Sequence, residues 1–172
     1  MYLGLDLRGG VHFLLQVDMK GALESRYDTL TTDIRSILRD QKVDVESVNK
    51  VGSTVVSTFA SDSDRNKAIA AFRNRINELT FTESADNGKF ILTGQISPSE
   101  IARVEQTALK QNILTLHNRI NELGVAEPVI QQQGNDRIVV QLPGIQDVAK
   151  AKEILCRTAT LHKVVHYESS LS

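Results

Sequence analysis

Gly4, Asp6, Arg8, Gly9 and Gly10 crowd the first ten residues, directly ahead of an apolar run that starts at Val11. Residues of these types could hold phosphate, with glycine letting backbone amides approach the anion and arginine neutralising it. A dinucleotide fingerprint needs a strand before its glycines and a helix after them, and here the glycines precede a strand instead. A P-loop would add Lys-Ser or Lys-Thr, which does not follow. The expected role of Gly9 and Gly10 is therefore in the backbone. They permit a bulge or a close approach where the chain enters a sheet, with Asp6 and Arg8 bonding main chain or each other.

No other set of residues builds a reaction centre. The carboxylates of Asp6, Glu100, Glu122, Glu127 and Asp136 have no sequence relation that brings two together. Two of them read better as a helix cap and a hairpin turn. The lone Cys156 cannot form an intrachain disulfide, and beside Ile154 and Leu155 it is expected to be a packed thiol. His12, His117, His162 and His166 have no zinc-ligand spacing with it. No catalytic residue, metal site or cofactor is expected.

With 20 basic and 21 acidic residues among 172, bulk charge does not favour nucleic acid. Five Phe and three Tyr, without a basic-Gly-aromatic run, give little support for RNA stacking on a sheet. No run approaches the ~18 apolar residues of a membrane span. Taken alone, the chain reads as a soluble globular piece. Its first strand starts almost at residue 1, as if the piece were cut from something larger.

The elements that would position these residues follow from periodicity. Val11, Phe13, Leu15 and Val17 alternate as in a strand whose second face is partly covered. Leu23, Tyr27, Leu30, Ile34, Ile37 and Leu38 make a helical stripe. Val43 to Asn49 and Ser53 to Phe59 are β-branched runs separated by "KVG", Lys50 to Gly52, a tight hairpin turn with Gly52 free to take positive φ. Ser61 and Asp64 have capping-box spacing for a helix burying Ile69, Phe72, Ile76 and Leu79. Short strands are expected at Thr80 to Thr82 and Lys89 to Thr93. Ser97, Pro98 and Glu100 then mark a helix start, with Glu100 reaching back to the cap. That helix runs to Gly124, about 26 residues or ~39 Å, with Leu109, Ile113, Leu116, Ile120 and Leu123 inward. A hairpin of Pro128 to Gln132 and Arg137 to Leu142 follows, around "QGND", Gln133 to Asp136. Pro143 and Gly144 turn the chain into a helix with Val148, Ala151 and Leu155 inward, and Thr160 to Val165 forms the last strand.

Helix, strand, strand, helix, strand thus occurs twice, each time after a strand. The expected class is α+β: two ferredoxin-like (βαββαβ) units, in tandem or one nested in the other, with antiparallel sheets and helices on one face. The string "NRINEL" occurs at Asn74 to Leu79 and at Asn118 to Leu123, each time as the expected last turn of a helix, and does not mark the repeat. Gln131 to Gln133 and "STVVST" suit a partly wet sheet face or an edge open to an extended peptide.

Three stretches, "LGLDLRGGVHFLLQVD", "NRINELGVAEPVIQQQGNDRIVVQLPG" and "AKEIL" with "TATL", together closely resemble the SecD family of bacterial protein-export subunits. The resemblance is dense over residues 3 to 18 and about 109 to 161. It implies the first periplasmic domain, with a ferredoxin-like base at 1–18 plus 97–172, an inserted ferredoxin-like unit at 19–96, and a mobile head expected to be absent. Gly4, Leu5, Asp6, Leu7, Arg8, Gly9 and Gly10 match the family signature, as do Leu123, Gly124, Glu127, Pro128, Pro143 and Gly144. The implied role of these residues is structural: to turn the chain from a membrane tether into the base sheet, with Gly124 capping a helix and Pro128 following it. The implied partners are SecF, the SecYEG channel and unfolded preprotein, with membrane attachment through spans outside this sequence and no nucleic acid. The implied place is the periplasmic face of the bacterial inner membrane, and the implied job is to hold emerging preprotein during proton-driven export. The competing class is a structural spacer or docking module for SecF and the channel. Two strand allocations fit the same linear order. In one, Val11 to Val17 pairs beside Arg137 to Leu142 or Thr160 to Val165, and Lys89 to Thr93 substitutes for it in the insert.

Overall fold

The computed structural model describes residues 10–145, 147–157 and 161–168. The elements in chain order are β1 Gly10–Val17, α1 Met19–Asp40, β2 Ser47–Val51, β3 Thr54–Phe59, α2 Asp62–Phe72, β4 Leu79–Asp86, β5 Lys89–Ile96, α3 Pro98–Glu122, β6 Val129–Gln133, β7 Arg137–Pro143, α4 Val148–Cys156 and β8 Leu161–Glu168. The protein is α+β, with four helices and two antiparallel sheets among the described residues. It divides into two compact units. A continuous unit takes Leu23–Val104; a split unit takes the residues up to Ala22 and from Glu105 onward.

In the split unit the sheet order is β6-β7-β1-β8. β1 is an inner strand: Phe13 lies opposite Val140 on β7 and His166 on β8. Val11, Phe13, Leu15 and Val17 are buried while His12, Leu14 and Gln16 are half-buried, as the alternation predicts. Their buried face packs on Leu109, Leu116 and Ile120 of α3 and on Ala151 and Leu155 of α4. β6 and β7 enclose the turn expected at Gly134, and Asp136 accepts bonds from the Val17 amide at 2.8 Å and the Gln16 side chain at 3.1 Å.

In the continuous unit the sheet order is β2-β3-β5-β4. Leu30, Ile34 and Leu38 of α1 and Ala68 and Phe72 of α2 share a core with Val55, Phe59 and Leu92 of the sheet. Gly52, at φ 57°, takes the β2–β3 turn, although Val51, expected in the loop, belongs to β2. Asn87 and Gly88, at φ 51° and 77°, make a two-residue turn between β4 and β5. Positive φ at both central positions is the type I′ geometry whose twist matches a hairpin.

Four expectations need correction. α2 ends at Phe72, so Ile76 and Leu79 reach the core from a connection and from β4 rather than from a helical stripe. The Asn74 to Leu79 copy of the repeated string is therefore not a helix end. β4 is eight residues long instead of three, because the Asn87-Gly88 turn pairs it along the whole of β5. Cys156 is exposed: it is the last residue of α4, about 100° round the helix from buried Leu155. Glu100 does not reach back to the cap. Its amide donates to Ser97 Oγ at 3.3 Å, while the Ser97 amide donates to Glu78 O and leaves the carboxylate for other partners.

Candidate functional site

The chain around Gly10, around Gly124 and around Gly144 meets at one end of the split unit's sheet. α3 stops at Glu122, and Gly124, at φ 72°, reverses the chain as a left-handed helix end. β7 stops at Pro143, opposite Gly10 at the start of β1, and Gly144 follows at φ 75°. Asp147 then caps α4 by accepting the Lys150 amide at 3.0 Å. Leu123, Gly124, Val125, Pro143, Gly144 and Ile145 line a cleft of about 530 Å³, with Asp147 and Lys150 at one side.

The structure thus brings Leu123, Gly124, Pro143 and Gly144 together and places Gly10 beside them. Glu127 and Pro128 do not line the cleft. Glu127 sits at φ 55°, a left-handed conformation that a side chain before proline seldom takes. Gly4, Leu5, Asp6, Leu7, Arg8 and Gly9 lie outside the described residues. Val125, Ile145, Asp147 and Lys150 were not anticipated. The only available cue was their position beside the two glycine turns.

The cleft's chemistry is that of contact. Asp147 is engaged as a helix cap, and the other described lining residues apart from Lys150 carry no charge. Among the described residues no group of three or more His, Cys, Asp or Glu could hold a metal ion.

The strongest charge cluster lies in the continuous unit. The Glu100 carboxylate, with its side chain 8% exposed, accepts Arg103 Nη2 at 2.6 Å and Nε at 2.8 Å, and Arg26 Nε at 3.3 Å. Arg26 also approaches Glu78 at 3.5 Å. Hydrogen bonding from Arg103, aided by the charges of Arg103 and Arg26, holds the Glu100 carboxyl below the usual carboxylate range against the opposing effect of burial. This cluster ties α1 to the start of α3.

Comparison with known proteins matches residues 1–20 to the SecD/SecF GG motif. Residues 109–165 match the N-terminal part of the P1 domain of protein translocase subunit SecDF. The chain is 46% identical over 162 residues to protein translocase subunit SecD of Escherichia coli (strain K12), covering 94% of this chain and 26% of that protein. The chain belongs to the SecD family, in its P1 region. It is also 39% identical to the SecD of Pseudomonas aeruginosa over 161 residues, covering 94% of this chain and 26% of that one. With the SecD of Calditerrivibrio nitroreducens it is 33% identical over 159 residues, covering 92% and 31%. The chain spans only about a quarter of the length of the E. coli and P. aeruginosa relatives. The relatives are named as protein translocase subunits. The cleft is built from the segments that carry the SecD match, since Leu123 and Pro143 to Lys150 fall inside residues 109–165. No helix among the described residues is long and apolar enough to cross a membrane.

Proposed function

We propose that this chain is the periplasmic P1 region of a SecD translocase subunit, and that it holds extended segments of emerging preprotein while membrane-embedded parts couple export to the proton gradient. SecF and the SecYEG channel are its partners, and spans outside this sequence attach it to the inner membrane. Each unit is a ferredoxin-like fold, the continuous one nested in the split one, with 19–96 inserted into a base of 1–18 plus 97–172. In support, β5 sits between β3 and β4 in the same way that β1 sits between β7 and β8, so β5 takes the place of an opening strand. The family matches at 1–20 and 109–165 also flank the compact unit Leu23–Val104.

The observation that carries the holding role is that both sheets end in edge strands, including β4 and β6, where exposed residues such as Thr82 and Gln132 border unpaired backbone. Main-chain pairing suits a binder that must accept many sequences and release them. Photo-crosslinkers at Thr82 of β4 and Gln132 of β6 in the full-length subunit, assembled with an arrested export intermediate, are expected to label preprotein from at least one of these edges. Probes at exposed helix positions such as Lys67 and Gln111 should label it weakly. Equal labelling at both sets would refute the proposal.

The cleft favours a second reading, a docking module for SecF or the channel, because Leu123, Gly124, Pro143 and Gly144, which resemble the family signature, gather there. Charge reversal at Lys150 should then weaken assembly and leave preprotein crosslinking intact.

A further inference from the structure

We propose that the preprotein-contacting surface is the free edge of β4 together with the groove beside it, and that its ligand is an extended segment alternating apolar with uncharged residues. This rests on the holding role proposed above and adds to it a location and a ligand pattern.

β4 pairs only with β5, and its eight residues, as many as in the edge strand β8, make a longer edge than the five each of β2 and β6. The direction of its backbone groups follows from the turn. In a two-residue hairpin the flanking residues, here Asp86 and Lys89, form a hydrogen-bonded pair, and such pairs recur at every second residue. Thr80, Thr82 and Ser84 therefore bond to β5, and the Ser97 amide bonding Glu78 O continues the same parity. The amides and carbonyls of Leu79, Phe81, Glu83 and Ala85 consequently face the open edge.

Leu79 and Phe81 turn their side chains to the helix face, where they meet α2. With Ile69, Phe72, Ile76 and Arg73 they line a groove of about 320 Å³. Phe81 is held there by stacking on Phe72 at 5.1 Å and by lying over Gly94, whose missing Cβ would come within 3.1 Å of the ring. A strand added to β4 would point every second side chain into this groove, and those same residues would bond Leu79 and Phe81. Its other side chains would lie beside the hydroxyls of Thr80, Thr82 and Ser84, which carry no charge to select against them. The charged residues of β4, Glu83 and Asp86, lie in its second half and leave Leu79 to Thr82 uncharged, whereas the five-residue β2 carries Lys50 and β6 ends in three exposed glutamines.

The test uses this chain and a fluorescent seven-residue peptide alternating Val and Thr, read by polarisation and by amide shifts in NMR spectra. N-methylation of the Val positions is expected to weaken binding about tenfold, the effect of one or two lost hydrogen bonds, and methylation of the Thr positions to leave it unchanged. The amides of Leu79, Phe81 and Glu83 should shift, while those of Asn49 and Gln131 should not. Glu83→Pro removes an outward amide without touching the ladder to β5 and should weaken binding similarly; Ile69→Lys should do so through the groove. Binding that ignores both substitutions, or shifts centred on β2, β6 or β8, would overturn the location and leave the holding role standing. Absence of any binding at millimolar peptide would overturn both.

Discussion

Replacing Glu100 by Gln removes a buried charge while keeping the side chain's shape, and so isolates the electrostatic link between α1 and α3. Arg103 makes the shorter bonds and is the chief cause of the lowered Glu100 pKa, but it is screened by solvent. The contact with Arg26, whose side chain is 25% exposed, is therefore expected to carry most of the loss in stability. Arg103 is 61% exposed and three residues away on the same helix, so solvent screening reduces that pair to ~0.3–0.5 kcal/mol. A hydrogen bond to a charged group in a mostly buried setting contributes ~1.5–3 kcal/mol, part of which the amide oxygen retains. The net loss is expected to be about 1.5 kcal/mol at pH 7. At a urea slope of ~2 kcal/mol/M this lowers the unfolding midpoint by about 0.7 M, read by circular dichroism. The pH dependence follows from the depressed folded-state pKa of Glu100. Its contribution is fully present above the unfolded carboxyl value of ~4.3 and is lost as pH falls through the lower folded value. Wild type and Glu100→Gln should therefore converge below about pH 4. A midpoint shift under about 0.2 M at pH 7, or the same shift at pH 7 and pH 3, would refute this account.

Tyr27→Phe should cost ~1–3 kcal/mol, because the buried Ile96 amide donates to the Tyr27 hydroxyl at 2.9 Å just where β3 no longer extends to meet it. Hydrogen exchange at the Ile96 amide should rise by more than the global loss of stability accounts for. Gly124→Ala should cost about 1 kcal/mol in urea unfolding: a Cβ there meets nothing within 4 Å, so only the positive φ opposes it. Gly94→Ala acts by the opposite mechanism. Its φ is ordinary, but a Cβ would crowd Phe81 at 3.1 Å and Leu79 at 3.3 Å, and the ring must move for the change to cost less than ~1–3 kcal/mol.

Local order in this chain was legible because period and capping are local properties. The stripe from Leu23 to Leu38, the alternation from Val11 to Val17, and the helix start at Ser97 each depend on residues within a few positions of one another. Local reading failed where a long-range partner decided the outcome. Leu79 fits a helical stripe, yet pairing with Ile96 draws it into β4. Cys156 stands in an apolar stretch, but the angle set by Ala151 and Leu155 turns it to solvent. At the candidate site, Gly124 and Gly144 were readable as turns, and their meeting in one cleft was not.

By itself the sequence determined the order of helices and strands, the faces each must bury, the turns at Gly52 and Gly134, and the resemblance to SecD. Tertiary structure alone decided that β1 lies between β7 and β8, that β5 closes the other sheet, and that Glu100 answers to Arg26 and Arg103 rather than to its own helix cap. The physical reason is that alternation names the buried face of a strand without naming its neighbour. Either allocation buries the same side chains, and the choice comes from which packed sheets and cores fit together in three dimensions.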